Sequence, residues 1–364
     1  MTRHIRRRLS RLFLLTRCVA GGIAIARLAR AAIAAPPVRP TMTPAQSISV
    51  LIPARDEAQR IGPALAALVG APGVGEVLVV DDQSSDATAD IARAAGAAVI
   101  TGTPLPDGWA GKAWALQQGI EAAGGEWVVT LDADTNPDPR LPQALASRAM
   151  AEQLDLLTVG GRFDCPTPGS RWLHPAMLTT LVYRFGPPGV ATAPDRAMAN
   201  GQCMAVPRQS FLERGGMQTV RGEVVEDIAL ARRMAHDGAR VGFLDAGEML
   251  EVRMFESLGD TWRGWGRSLA LPGVEPRRRQ LFDLAVVLLA QALPLPRLVL
   301  RKADFVDVVL LALRFGTLAG TRTAYSRVDV AYWLSPLADV PAAVTIARGI
   351  FRRGPHSWRG RTYA

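Results

Sequence analysis

A chain of 364 residues with 49% hydrophobic and 21% charged residues can fill one large core or two domains, which excludes a wholly disordered protein. The formal net charge is +9, and the basic excess gathers at the two ends among aliphatic residues, a pattern that suits an anionic membrane surface and argues against nucleic acid. Cys18, Cys165 and Cys203 have no metal-ligand spacing and are odd in number, so neither a disulfide framework nor a zinc site is expected.

Residues 1–40 are expected to form a basic, weakly hydrophobic anchor and linker. Arg3, Arg6, Arg7, Arg8 and Arg11 open it, and Arg17, Arg27 and Arg30 interrupt the apolar stretch that follows. Only Cys18 to Ala26 is free of charge, short of the ~20 apolar residues of a spanning helix, so the stretch reads as an interfacial helix or weak anchor. A cleaved signal peptide is the rival, and Arg27 and Arg30 count against it. From Ser47 the pattern alternates: strand to Pro53, helix from Ala54 to about Leu68, strand Glu76 to Val80, helix Ala87 to Ala95, strand Ala97 to Thr101. A helix opening at Gly111 and Lys112, a strand from Trp127, a helix from Asp138 to Glu152 and a strand from Asp155 to Gly160 continue it. This is the order of an α/β domain with a mostly parallel sheet, with 45–272 as its expected span. Beyond Gly161 the signals weaken to a strand at Ala199 to Val206, a helix at Val225 to His236 and a short strand at Val241 to Leu244. A hydrophobic helical region is expected over 280–352, followed by a basic tail, 353–364. Its longest charge-free run, Leu284 to Pro296, is 13 residues, which by length favours interfacial or protein-buried helices. If the segments span, Asp304, Asp307, Arg314, Asp329 and Asp339 must face protein, water or head groups.

Chemistry collects where strands end. Asp132 and Asp134 follow the apolar run Trp127 to Leu131; two acids at a sheet's carboxyl edge can hold a hard divalent cation together with substrate phosphates, or else begin a turn and cap a helix. Asp81 and Asp82 stand at another strand end, within reach of a ribose or base, the alternative being that they cap the turn. Lys112, flanked by Gly108 and Gly111 at a helix start, suits phosphate or a sugar as well as plain solvent, and the spacing is not that of a Walker loop. Glu226 and Asp227 open a helix, where acids commonly serve the dipole; a metal-bound leaving diphosphate would need a separate carboxylate as base, and Asp227 is chosen for it with Glu226 as second choice.

Ser49 to Glu57 (SVLIPARDE) followed by Val79 to Thr88 (VVDDQSSDAT) resembles the opening of the inverting family 2 glycosyltransferases of GT-A fold. Lys112 to Gly119 (KAWALQQG), with Gln118 where the family usually has Asn, is similar to its GK, AL, N, G stretch. Asp132, Ala133 and Asp134 match its DxD, Gly215 and Gly216 its paired glycine, and Glu226 and Asp227 its ED pair. The resemblance covers roughly residues 47–270. It implies a Rossmann-like sheet with helices on both faces plus C-terminal hydrophobic helices, a nucleotide-diphosphate sugar donor, and Mg2+ or Mn2+. Pro53, Arg55, Glu57, Asp81, Asp82, Lys112 and Asp132 would then bind the donor, Asp134 and Asp132 the metal, and Asp227 or Glu226 would act as base. The QxxRW motif of processive synthases is missing; Trp262, Arg263, Gly264, Trp265, Gly266 and Arg267 stand near its place, which implies a single transfer. Gly108 to Trp114 (GWAGKAW) and the ending Trp358 to Tyr363 look like the branch associated with hopanoid and carotenoid biosynthesis, which implies a lipid acceptor, with Trp262, Trp265 and Arg267 on its side. A cell-membrane enzyme whose catalytic domain faces the cytoplasm is expected. The alternatives are transfer to a polyprenyl phosphate and a non-catalytic membrane protein that binds nucleotide sugars.

Overall fold

The structure, a computed structural model, describes residues 3–41, 47–352, 356–358 and 361–363. Of the expected basic tail only the antiparallel backbone pairing of 356–358 with 361–363 is described; the rest lies outside the described residues. Contacts gather the chain into two compact units: residues 35–164, 188–253 and 354–364 in one, and 1–34, 165–187 and 254–353 in the other. The stretch 45–272, expected as one domain, thus gives 165–187 and 254–272 to the second unit.

The first unit is built on a sheet of β1 (Ile48–Ala54), β2 (Val74–Asp81), β3 (Ala98–Thr101), β4 (Trp127–Leu131), β6 (Leu156–Gly160), β8 (Cys203–Pro207) and β9 (Val241–Asp245), in the order β3-β2-β1-β4-β8-β6-β9. Between β4 and β6 in chain order lies β5 (Thr135–Pro137), and β7 (Arg162–Asp164) and β10 (Leu250–Arg253) join it in a three-stranded sheet with β10 central, which the sequence did not announce. Only β8 runs against its neighbours in the large sheet, pairing antiparallel with both β4 and β6. Central parallel strands must be apolar on both faces; Ile48, Val50, Leu51 and Ile52 of β1 and every residue of β4 are accordingly buried. Helix Gly111–Ala122 packs on β1 and β2, and Gly119 lies close against Leu51 and Val80 of those strands.

The helix expected from Ala54 begins only at Gly62. Asp56 adopts a left-handed backbone (φ 53°), and its carboxylate accepts from Ser85 N–H at 2.7 Å; the acids that looked like a helix start tie two loops together instead.

The second unit is helical: Arg3–Ala29, Pro168–Phe185, Leu258–Ser268, Arg277–Val287 continued by a π turn at Leu288–Ala292, Pro294–Val299, Phe305–Thr321 and Asp339–Phe351 are its main elements. Leu173, Met177, Leu269, Val287, Ala342 and Ile346 form its core. Its polar logic is inverted. Arg17, fully buried, pairs with Asp307 at 2.9 Å, and Arg297 reaches the same carboxylate at 3.0 Å. Arg314 and Asp339, both buried, pair at 2.9 Å, and Arg171 pairs with Asp329 at 2.7 Å. Large apolar side chains face outward: Leu15 is 59% exposed, Val299 72%, Phe305 79% and Val330 72%. Arg27, too, is paired, with Asp283 at 3.2 Å, so two of the arginines that seemed to break the N-terminal apolar run are neutralised inside the unit. The helix Arg3–Ala29 is continuous for 27 residues, about 40 Å, and Arg7–Ile33 is long and apolar enough by length and composition to cross a membrane, which the charge-free run Cys18–Ala26 alone did not indicate.

Candidate active site

The site is assembled at the carboxyl edge of the large sheet. β4 ends at Leu131, and Asp132 begins the turn into β5: its carbonyl accepts from Thr135 Oγ1 at 2.7 Å, and its own N–H donates to Gln202 O at 2.9 Å. That last bond ties Asp132 to the segment entering β8, which the antiparallel pairing of Leu131 with Cys203 brings alongside. The helix from Gly111 points its first turn at the same place. Lys112 Nζ lies 2.7 Å from Asp132 Oδ1, 3.1 Å from Gly201 O and 3.3 Å from Glu226 Oε1. Three protons and three acceptors make a complete set for an ammonium group.

Asp227, beside Glu226 in the first turn of helix Glu226–His236, is fixed by two backbone donors, Gly201 N–H at 2.7 Å and Ile228 N–H at 2.8 Å. Gly201 therefore links the ammonium and the Asp227 carboxylate through its own C=O and N–H. A Cβ there would sit 3.1 Å from Asp227 Cβ and 3.2 Å from Lys112 Nζ, so the close approach depends on glycine. Burial raises the Glu226 and Asp227 carboxyls above their ordinary range, and Lys112 pulls both back only in part. For Lys112 burial acts downward, but Asp132 and then Glu226 outweigh it and hold the ammonium firmly protonated. One cation thus faces three carboxyl groups, those of Asp132, Glu226 and Asp227.

Asp134, two residues beyond Asp132, is partly exposed, and its carbonyl accepts from Arg253 N–H at 3.0 Å. Among the described residues no group of three or more His, Cys, Asp or Glu side chains gathers to hold a metal ion by itself. Two acids one residue apart at a strand end fit a hard ion only if a ligand such as a diphosphate brings the remaining oxygens, which is how Mg2+ is commonly bound.

On the other side of β1 the second group of expected residues meets. Ala54 pairs with Asp81 across β1 and β2, Arg55 Nη1 donates to Asp82 O at 2.8 Å, and Asp81 Oδ1 accepts from Ser84 N–H at 3.2 Å. Glu57 N–H donates to Thr88 Oγ1 at 2.8 Å, and its carboxylate pairs with Arg60. Pro53, at the end of β1, is partly exposed. The ends of β2 and β4 flank β1, so the two groups stand about 10 Å apart by strand spacing, the scale of a nucleoside with its diphosphate.

Trp262, Trp265 and Arg267 lie on helix Leu258–Ser268, in the helical unit and not in the unit that carries the acids. Trp262 and Trp265 pack on that unit's core, and Trp265 stands edge-on to His174 at 5.1 Å.

Two participants escaped the sequence reading. Gly201 sat in a segment read as strand; a glycine just before the apolar run Cys203–Val206 was its only signal. Gln117 accepts from Met217 N–H at 2.8 Å and so holds the paired glycines to the Lys112 helix. Gly216 has φ 55°, and a Cβ there would come within 2.7 Å of Gln117 Oε1, which gives the pair a physical reason.

Residues 49–216 match the family described as Glycosyl transferase family 2. A 4,4'-diaponeurosporenoate glycosyltransferase of Staphylococcus haemolyticus is 26% identical over 231 residues, 62% of this chain and 62% of the relative. A dodecaprenyl-phosphate galacturonate synthase of Rhizobium johnstonii is 35% identical over 135 residues, 35% of this chain and 39% of the relative. The chain thus spans less than two thirds of these relatives. Among solved structures, the mannosyltransferase PcManGT of Pyrobaculum calidifontis, in complex with GDP-Man and Mn2+, is similar with a TM-score of 0.53 at 17% identity, covering 94% of this chain and 99% of that one, a likeness of fold.

Proposed function

We propose that this chain, whose residues 49–216 match glycosyl transferase family 2, moves a sugar from a nucleotide-diphosphate sugar to a hydroxyl of a carotenoid- or hopanoid-like membrane lipid, with inversion. The observation that carries this reading is the cluster in which Lys112 joins the strand-end acid Asp132 to Glu226 and the backbone-pinned Asp227. It puts a candidate base, a cation and a diphosphate-side acid in one place.

The chemistry is a single displacement. The acceptor oxygen bonds to the anomeric carbon as the bond from that carbon to the diphosphate oxygen breaks; the acceptor proton goes to Asp227, and the electron pair leaves with the diphosphate. Two N–H donors fix the Asp227 carboxylate in orientation, while burial leaves it more basic than an exposed one. Asp81, Asp82, Arg55, Glu57 and Pro53 take the nucleoside end. Mg2+ or Mn2+ held by Asp134 and Asp132 would supply charge stabilisation to the leaving diphosphate. Trp262, Trp265 and Arg267 are kept as the acceptor side on the strength of the sequence resemblance alone.

A seat in the cell membrane, catalytic unit toward the cytoplasm, is part of the proposal. The apolar N-terminal helix and the inverted polarity of the helical unit support it: charges paired inside, Leu15, Phe305 and Val330 outside. The names of the two relatives, a diaponeurosporenoate glycosyltransferase and a dodecaprenyl-phosphate galacturonate synthase, point to lipid-like acceptors, and the second favours an anionic acceptor as the alternative chemistry.

The test is transfer from a panel of radiolabelled nucleotide sugars into total membrane lipid, by wild type and Asp134→Ala at several metal concentrations. Label in extractable neutral lipid, lost in the variant and restored by no metal, is expected. Label in an acidic polyprenyl fraction selects the phosphate acceptor; nucleotide binding without any transfer overturns the enzymatic reading.

A further inference from the structure

The acid cluster already contains a cation. Lys112 Nζ is bound by Asp132 Oδ1 at 2.7 Å, Gly201 O at 3.1 Å and Glu226 Oε1 at 3.3 Å, and only 19% of its side chain is exposed. The place is built and not incidental: glycine at 201 lets the carbonyl approach, Gly201 N–H is held by Asp227, and Asp132 N–H is held by Gln202 O. An ion arriving on Asp132 would meet an ammonium on the same carboxylate, at a distance where like charges repel strongly.

We infer that in the free protein Lys112 fills the cation place beside Asp132, so that a divalent ion enters only together with a nucleoside diphosphate. The diphosphate oxygens offer the ammonium new acceptors, and Asp132 is thereby released to the ion. Binding is ordered by this exchange, and the acids cannot collect a metal without the donor. The inference rests on the transferase reading, which assigns the ion to Asp132 and Asp134.

Mn2+ binding, followed by the loss of the free-ion paramagnetic resonance signal, tests it without turnover. The wild-type protein alone is expected to leave Mn2+ in solution, and UDP or GDP to tighten its uptake at least ~tenfold. Lys112→Met keeps the aliphatic stem and removes the charge; it is expected to take up Mn2+ without nucleotide at least ~tenfold more tightly than wild type. Wild type binding Mn2+ alone as tightly as with nucleotide overturns the inference and needs no variant to be observed. Equal binding by a folded Lys112→Met also overturns it, as does Mn2+ left in solution under every condition. Sugar transfer by the same wild-type preparation, with and without metal, decides the transferase reading separately, so the two can fail independently.

Discussion

Replacing Asp227 by Asn removes the group to which proton abstraction is assigned and leaves its shape. The carboxylate accepts from Gly201 N–H at 2.7 Å and Ile228 N–H at 2.8 Å, one on each oxygen. An amide can satisfy one of those donors; the other faces an NH2, so about 1 kcal/mol of stability is expected to be lost, the worth of one hydrogen bond. The effect on turnover is far larger, because a positioned base contributes ~10²–10⁴-fold. Steady-state transfer with whichever nucleotide sugar the labelling panel selects should therefore show kcat lower by at least ~100-fold, with nucleotide affinity within about threefold of wild type and a small shift in unfolding. The pH profile follows from the same environment. The base works only when ionised, and burial raises the Glu226 and Asp227 carboxyls above their ordinary 4.5 and 3.8, so wild-type kcat/KM should fall as pH drops through a value above that range. Asp227→Asn with activity within threefold of wild type would refute the reasoning and mean that the acceptor arrives already anionic, as a phosphate or carboxylate does.

Two further substitutions test the packing. Gly216→Ala places a side chain at φ 55° and 2.7 Å from Gln117 Oε1, so about 2 kcal/mol should be lost in denaturant unfolding, from backbone strain plus the displaced hydrogen bond to Met217; Gly62→Ala, where nothing stands within 4 Å, should be nearly neutral. Arg314→Met strands Asp339 in the helical unit and should cost ~3–5 kcal/mol, whereas the double change with Asp339→Leu should recover most of it; a double variant no better than the single one removes the ion pair from the account of that unit's stability.

The sheet was legible because its signals are local. β1, β2 and β4 are short apolar runs that end in charged residues, and each was found within a residue or two of its observed bounds. The acids at those ends could be named for the same reason. What the sequence does not hold is the closure of the site: Gly201 meets Lys112 across 89 residues of chain and Asp227 across 26, and neither contact leaves a periodic trace. The loop after β1 misled in the opposite way. Asp56 and Glu57 look like a dipole-favoured helix start, and only Ser85 and Thr88, contacts made across the adjacent strand end, show that they brace a loop.

The helical unit extends that argument to hydropathy. Scanning for charge-free runs assumes that each charged side chain meets the surroundings of its own segment, and here it does not. Arg17 is matched by Asp307, 290 residues away, and Arg314 by Asp339 on another helix. A matched pair removed from the exterior leaves an apolar outside that no single segment's charge count describes, so an N-terminal stretch that read as an interfacial helix or weak anchor, too short in charge-free residues to span, includes a helix, Arg7–Ile33, long and apolar enough by length and composition to cross a membrane. The same matching constrains evolution and engineering of the unit: a change at Arg17 is felt at Asp307 and Arg297, and charge should be altered there in compensating pairs or not at all.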